Sequence, residues 1–259
     1  MIQKVTDIQE GVTLHLDSRD ICEDIDIDDD VTSLRFVNSG YNSYDNIYYA
    51  LRKVNKQFPN ITELVIDKYV SNIEISNMMF PNVKNVESKS SNFMTGKYLI
   101  EKAGMRLLNA FGQDENAAID FTQFNRIESY AFEGCKSTKI INYADIARCW
   151  KDAFSGSMLL ENKSLYKDGA LILGHILAVI DRTEKSVVIP KEVEIIPEDY
   201  DFSGINELIL ESAKALDMLK THANKRTLPD TITITDNSFI PISIMASCLR
   251  GLNVNTINI

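Results

Sequence analysis

FSGINELIL, residues 202–210, decides the fold of this chain because its spacing returns along the sequence. Phe202 precedes apolar residues three, six and eight positions later, at Ile205, Leu208 and Leu210. Earlier copies, whole or partial, begin at Phe58, Phe80, Phe111, Phe132 and Phe154. The intervals between the leading phenylalanines are 22, 31, 21, 22 and 48 residues. A motif that recurs about every 22 residues predicts one short structural unit stacked many times.

In several repeats the last three residues alternate in, out, in, which is typical of a strand with one buried face. ITELVI (61–66) and INELIL (205–210) show it after their phenylalanine, and VTSLRF (31–36) and VNTINI (254–259) show it without one. Stacked units would pair these strands in parallel and form one long sheet. The leading phenylalanine would then pack its ring between neighbouring coils.

Three segments depart from the repeat with apolar residues at helical spacing or a helix-starting proline. They predict short helices on the convex side over 43–58, 212–224 and 240–251. The 48-residue interval predicts a hairpin excursion over 163–190, because Asp168-Gly169 is a turn pair that tolerates positive φ. A helix over 170–180 is the alternative.

Composition narrows the classes of partner. The 259 residues carry a net charge of −10 and an isoelectric point near 4.9. That charge argues against nucleic acid and anionic membranes, since both attract a basic face. No window approaches 18 uninterrupted apolar residues, so no membrane insertion is expected. Residues 1–20 lack the apolar core of a signal peptide. The sequence as given therefore predicts a cytoplasmic protein, or a cell-surface one if a leader was removed.

The search for catalytic and cofactor sites gives little. His15, His175 and His222 lie far apart, and the sequence has no nucleophile elbow, dinucleotide-binding or zinc-protease motif. The four cysteines show no C-x-x-C spacing, so we expect buried thiols and no zinc site. The sequence predicts a protein that is not an enzyme and that has no cofactor.

The acidic run CEDIDIDDD (22–30) has two interpretations. Asp24, Asp26, Asp28 and Asp30 would supply oxygen ligands for calcium. A twelve-residue calcium loop, however, needs glycine at its sixth position and glutamate at its twelfth, where this chain has Asp29 and an arginine. The other interpretation is a strand that ends in an acidic turn and caps the array.

Four segments carry a family resemblance: SYAFEGCKSTKII (129–141), KDAFSG (151–156), SVVIPKEVEII (186–196) and YDFSGINELIL (200–210). They resemble units of the BspA-type, or Treponema-type, leucine-rich repeat, and the hairpin that begins LYKDGALI resembles an excursion common in that family. The resemblance implies a non-enzymatic ligand-binding module, often at bacterial surfaces in adhesion.

Together these observations predict an α/β leucine-rich-repeat solenoid, a horseshoe with one parallel sheet, short convex helices and a β-hairpin insertion. The whole chain, 1–259, would form one domain with an N-terminal capping region (1–42) and a C-terminal cap (228–259).

The strand residues that alternate outward would form the binding surface on the concave face. They are Glu63, Val65, Asp67, Glu87, Lys89, Asp120, Lys139, Ile141, Glu207, Ile209 and Glu211. This acid-leaning stripe with isolated aliphatic residues predicts recognition of a protein or peptide segment, with a basic segment as its complement. An ordinary solvated sheet face is the alternative for the stripe. For the whole protein, a fragment of a bacterial surface adhesin is the second candidate and an enzyme the least favoured.

Overall fold

The computed structural model describes residues 4–38, 46–111, 115–143, 146–236, 250, 252 and 254–259. Within these residues the chain is a mostly-sheet solenoid of about nine turns, with parallel sheets and few helices. The strands are β1 (Lys4–Gln9), β2 (Val12–Leu16), β3 (Ile21–Ile27), β4 (Ser33–Phe36), β5 (Tyr48–Ala50), β6 (Glu63–Ile66), β7 (Ile73–Glu74), β8 (Asn85–Ser88), β9 (Tyr98–Glu101), β10 (Arg106–Ala110), β11 (Ala118–Asp120), β12 (Arg126–Ile127), β13 (Lys139–Ile141), β14 (Arg148–Cys149), β15 (Tyr166–Lys167), β16 (Ala170–Leu173), β17 (Ile176–Ile180), β18 (Ser186–Ile189), β19 (Glu207–Leu210), β20 (Thr231–Ile234) and β21 (Thr256–Asn258).

Two α-helices and several single 3-10 turns complete the described elements. The α-helices are α1 (Met158–Glu161) and α2 (Lys214–His222), and 3-10 turns cover Leu51–Lys53, Phe121–Gln123 and Lys163–Leu165. The described helices are too short and too polar to cross a membrane.

The coils contribute strands to two series of parallel pairings, and five coils contribute one strand to each series. The first series contains the strands predicted from the repeat: β4-β6-β8, then β11-β13, then β18-β19-β20-β21. The second series contains shorter strands from the other part of each coil: β3-β5-β7 and β10-β12-β14. The repeat pattern in the sequence predicts only the first series.

Alternation of buried and open residues explains the first series. In β6, Leu64 and Ile66 are fully buried, whereas Glu63 and Val65, which alternate with them, are only partly buried. Strand β19 repeats this pattern. The strands predicted at 31–36, 61–66, 205–210 and 254–259 are all present as β4, β6, β19 and β21, which confirms the period-two interpretation.

The leading phenylalanines stack between coils, as predicted. Phe58 lies against Phe80 with ring centroids 5.8 Å apart, and Phe132 lies against Phe154 at 4.9 Å. Phe132 and Phe154 are almost completely buried. Because each of these two pairs joins successive units, the core there is built by nearest-neighbour packing along the solenoid.

The expected single long sheet is wrong, because the first series is divided into three separate sheets. One cause is visible at β8, where Val86 exchanges two backbone hydrogen bonds with Gly96, at 2.8 and 3.0 Å, in an antiparallel bridge. The segment that follows β8 therefore occupies a place that a further parallel strand would need. That segment continues into β9, which pairs antiparallel with β10.

Of the three predicted helices, one is confirmed, one is wrong in its described part and one lies almost entirely outside the described residues. The helix over 43–58 is wrong in its described part: β5 and a 3-10 turn occupy Tyr48–Lys53. Tyr49 explains the strand, since its ring is fully buried and its hydroxyl donates to the carbonyl of Val37 at 2.6 Å. The helix over 212–224 is confirmed as α2, which buries Leu216 and Leu219. The segment 240–251 lies almost entirely outside the described residues.

Antiparallel strands β15, β16 and β17 form the expected excursion. The turn between the first two has positive φ at Asp168 (48°) and Gly169 (81°), which confirms the predicted hairpin turn. The alternative helix over 170–180 is wrong, because β16 and β17 occupy it. Strand β18, inside the expected 163–190 range, pairs in parallel with β19.

The two ends of the described chain differ in their pairing. At the N-terminal end, β1, β2 and β3 form an antiparallel meander, and the start of β3 then pairs in parallel with β5. This meander lies within the expected capping region 1–42. In the expected C-terminal cap, 228–259, β20 and β21 continue the parallel ladder.

Candidate functional site

The predicted binding residues are distributed over three sheets of the first series. Glu63, Val65, Asp67, Glu87 and Lys89 lie on or beside β6 and β8; Asp120, Lys139 and Ile141 lie on β11 and β13; and Glu207, Ile209 and Glu211 lie on or beside β19. All are partly or fully exposed. The single ladder of strands expected to carry these residues is divided, since the sheets that hold them are separate. The structure gives three smaller patches.

The β4-β6-β8 patch is a mixed-charge surface around one aliphatic residue. Val65 lies in register between Arg35 on β4 and Glu87 on β8. Nη2 of Arg35 contacts Oδ2 of Asp67 at 2.7 Å. The backbone N–H of Lys68, and then Arg35, lower the pKa of Asp67 below its ordinary value. Arg35 was not among the predicted binding residues, although it has the outward register in VTSLRF.

The β11-β13 patch is small, and its carboxylate has a structural role. Oδ1 of Asp120 accepts hydrogen bonds from the backbone N–H of Thr122 at 3.0 Å and from the side-chain amide of Asn142 at 3.0 Å. The Thr122 N–H is the main cause of the lowered pKa of Asp120. Ile141 opposite it is 44% exposed, so the apolar contact available here is a single side chain.

The β18–β21 patch is the most extended of the three. In-register pairing produces two outward rows: Ser186, Glu207, Thr231 and Thr256 in one, and Val188, Ile209, Thr233 and Asn258 in the other. Glu207 accepts a hydrogen bond from the hydroxyl of Thr233 at 2.5 Å, and Glu211 accepts from the backbone N–H of Lys191 at 3.3 Å. The residues on β18 and β20 were not predicted, because outward positions were expected only in the Phe-led copies of the repeat.

A polar cleft of about 300 Å³ lies where the second series is interrupted, between β7 and β10. Arg52 spans the interruption: its guanidinium donates to the carbonyls of Ser129 at 2.9 Å and Leu108 at 3.2 Å. Its Nε is buried and makes no hydrogen bond.

Charged side chains line this cleft in pairs. Arg106 contacts Glu101 and also Glu128, the latter at 3.4 Å, and the hydroxyl of Tyr48 donates to Glu74. Burial, and then the charge and hydrogen bond of Glu74, raise the pKa of Tyr48 to about 12. The described residues that line the cleft include no histidine or cysteine. One indirect signal of the cleft is present in the sequence, the irregular 31-residue interval between Phe80 and Phe111.

The acidic run folds as a strand followed by a turn. Lys56 contacts both Asp24 and Asp26 on β3, each at 2.8 Å, and Nε2 of His15 lies 2.6 Å from Asp26. The hydrogen bonds of Lys56 and His15 lower the pKa of Asp26. In the part of the chain that the structure describes, no group of three or more His, Cys, Asp or Glu side chains converges as a metal site.

The remaining polar candidates are separate from one another. His222 lies 3.1 Å from Glu198, while Nε2 of His175 lies 3.5 Å from the carbonyl of Ile146. Cys22, Cys135 and Cys149 are free and fully or almost fully buried, and burial raises the pKa of each thiol.

Comparison of the chain with protein-family models, with curated proteins and with solved structures finds no match.

Proposed function

We propose that this protein is a solenoid of the BspA leucine-rich-repeat type that binds an extended protein or peptide segment. The binding surface is the outward side of β18–β21, with the β4-β6-β8 patch as a further contact. One observation carries the proposal: Val188 and Ile209 are adjacent in register, and Glu207 and Glu211 flank Ile209 on the same strand and just beyond it.

The geometry of the rows suits an extended segment. Adjacent parallel strands lie about 4.8 Å apart, so a segment crossing them meets a new side chain at each step. The Val188–Ile209 pair supplies apolar contact area, and hydrogen-bonding side chains continue both rows onto β20 and β21. An apolar contact ringed by polar groups is the usual arrangement of an interface hot spot.

Charge defines the segment that fits best. Glu207 and Glu211 contribute two carboxylates beside the apolar pair, and Glu211 is exposed. The net charge of −10 adds a long-range attraction for cations. A segment that alternates aliphatic and basic residues complements both features.

Fluorescence anisotropy with a fluorescein-labelled peptide of alternating lysine and leucine residues tests the proposal. Reversing both charges, Glu207→Lys with Glu211→Lys, should weaken binding at least about tenfold. Glu10→Lys with Glu115→Lys is the matched control, because both residues are exposed and lie outside the rows. Equal binding by the two double variants would refute the assignment of this surface. A pull-down with the same variants would then identify the natural partner.

A further inference from the structure

Three arginines occupy equivalent positions on neighbouring strands of the second series. Arg106 on β10 pairs in register with Arg126 on β12, which pairs in register with Arg148 on β14. We call these three residues the arginine row. Adjacent strands are about 4.8 Å apart, so the side chains emerge side by side from one sheet. The buried row beside it, Leu107, Ile127 and Cys149, anchors these strands in the core.

A row of like charges on paired strands costs stability unless other charges offset it. Arg106 is offset by Glu101 and Glu128, and Arg148 is offset by Glu198, whose Oε1 lies 3.2 Å from its Nε. Arg126, between them, is exposed and makes no ion pair with any residue that the structure describes. The centre of the row therefore carries a positive charge with no counter-charge of its own.

An aromatic side chain lies beside the row. The guanidinium carbon of Arg148 lies 4.8 Å from the ring centroid of Trp150. Trp150 is the only tryptophan of the chain and is partly exposed. Arginine and tryptophan are among the residue types most enriched in interface hot spots.

We propose that the arginine row is a second interaction surface, which binds an acidic segment of a partner protein. A carboxylate of the segment pairs with Arg126, and neighbouring carboxylates share Arg106 and Arg148. This surface lies on strands of the second series, whereas the proposed binding of a basic segment uses the first series. The two surfaces have opposite chemistry and do not depend on one another.

The surrounding charges favour a short protein segment over nucleic acid. Glu128, just after β12, contacts Arg106, and Glu198 contacts Arg148, so carboxylates border the row. The net charge of −10 also repels a long polyanion. A short acidic segment places its carboxylates on the row alone and extends beyond it as an uncharged chain.

The probes for a direct test are a fluorescein-labelled peptide with three consecutive glutamates in an otherwise uncharged chain, called the oligoglutamate peptide, and an oligothymidylate of matched charge. Anisotropy should show that wild type binds the peptide more tightly than the oligonucleotide, with affinity that falls as salt is added. Arg126→Glu should weaken peptide binding at least about tenfold, and Arg126→Gln, which adds no negative charge, should weaken it less. Emission of Trp150 should change on binding to wild type and not in Arg126→Glu.

Matched controls separate the possible outcomes. Arg226→Glu changes the same charge at an exposed arginine in the turn after α2 and should bind like wild type. Glu207→Lys with Glu211→Lys should not weaken oligoglutamate binding, so the two proposed surfaces can fail independently. The proposal is overturned if wild type does not bind the peptide, if Arg226→Glu loses as much affinity as Arg126→Glu, or if the oligonucleotide binds more tightly at the row.

Discussion

The rings of Phe132 and Phe154 lie parallel to one another, with centroids 4.9 Å apart and an angle of 1° between their planes. These residues lead two consecutive repeat units. Phe121 stacks on Phe132 as well, at 6.0 Å and 20°. Phe132 is therefore the middle ring of a column that joins successive coils through the core.

Replacing this middle ring should destabilise the solenoid strongly. We expect Phe132→Ala to lower the free energy of unfolding by about 3–5 kcal/mol, because it removes a buried ring and leaves a cavity. Urea denaturation followed by circular dichroism measures the change. Met158→Ala, at a side chain 43% exposed on α1, is the control and should change stability by less than about 0.5 kcal/mol. Similar losses in both variants would contradict the stacked-column interpretation.

Gly174, in the β16–β17 turn, should not tolerate a side chain. Its φ is +66°, and a Cβ there would lie 2.2 Å from Cγ of Tyr143. We expect Gly174→Ala to cost about 2–4 kcal/mol, from backbone strain together with the clash. Gly204→Ala is the matched control, since its φ is +89° and nothing lies within 4 Å of the added Cβ. Gly204→Ala should lower the free energy of unfolding only by the backbone strain, about 1 kcal/mol. An equal loss of stability in the two variants would exclude the clash with Tyr143.

The buried thiols should be unreactive in the native protein. Burial raises the pKa of Cys22 to about 12 and that of Cys135 to about 11, so neither forms a thiolate at neutral pH. Cys248 lies outside the described residues, so Cys248→Ser provides the background for the measurement. We expect no reaction of this variant with a chromogenic disulfide reagent at pH 8. In denaturant three thiols should react, and fast native labelling of any of them would contradict its burial.

Asp201 should contribute stability that disappears in acid. Burial acts to raise its pKa, but hydrogen bonds from Ser203 and the charge of Arg182 outweigh burial and lower the pKa to about 2. Because the pKa is lower in the folded state than its ordinary value of 3.8, the contribution is complete above about pH 4 and is lost as pH falls towards 2.

Urea midpoints of wild type and Asp201→Asn between pH 6 and pH 2.5 test this linkage. The difference between the two proteins should be largest at pH 6 and should shrink below pH 4. Asp230→Asn, at an exposed carboxyl that accepts a hydrogen bond from Asn255, is a comparison variant for the assay. A difference between wild type and Asp201→Asn that stays constant with pH would contradict the lowered pKa.

The first series could be predicted from sequence because its strands obey a simple alternation that the repeat multiplies. ITELVI and INELIL mark buried and open positions residue by residue, and the structure has them so. The second series could not, because β7, β12 and β14 are two residues long and show no period. The helix predicted over 43–58 was wrong in its described part for a related reason, because β5 belongs to this second series. Its apolar spacing fits a helix, but pairing of β5 with β3 and β7 outweighs local propensity.

The candidate surfaces were predictable in part. Alternation along the strand was enough to predict the outward direction of Glu207 and Ile209. The division of the stripe into patches could not be predicted, because it depends on where strand pairing stops. Prediction of the arginine row would have required the pairing register of the second-series strands. Arg106, Arg126 and Arg148 are 20 and 22 residues apart, so only the pairing of β10, β12 and β14 brings them together.

In-register pairing also affects how such a surface can evolve. Thr233 on β20 has two neighbours in its row, Ile209 on one side and Asn258 on the other. A replacement at an outward position changes the packing and hydrogen bonding of those neighbours. Its effect on residues two coils away is small. New specificity can therefore be acquired one coil at a time, with each accepted mutation leaving the others open to selection.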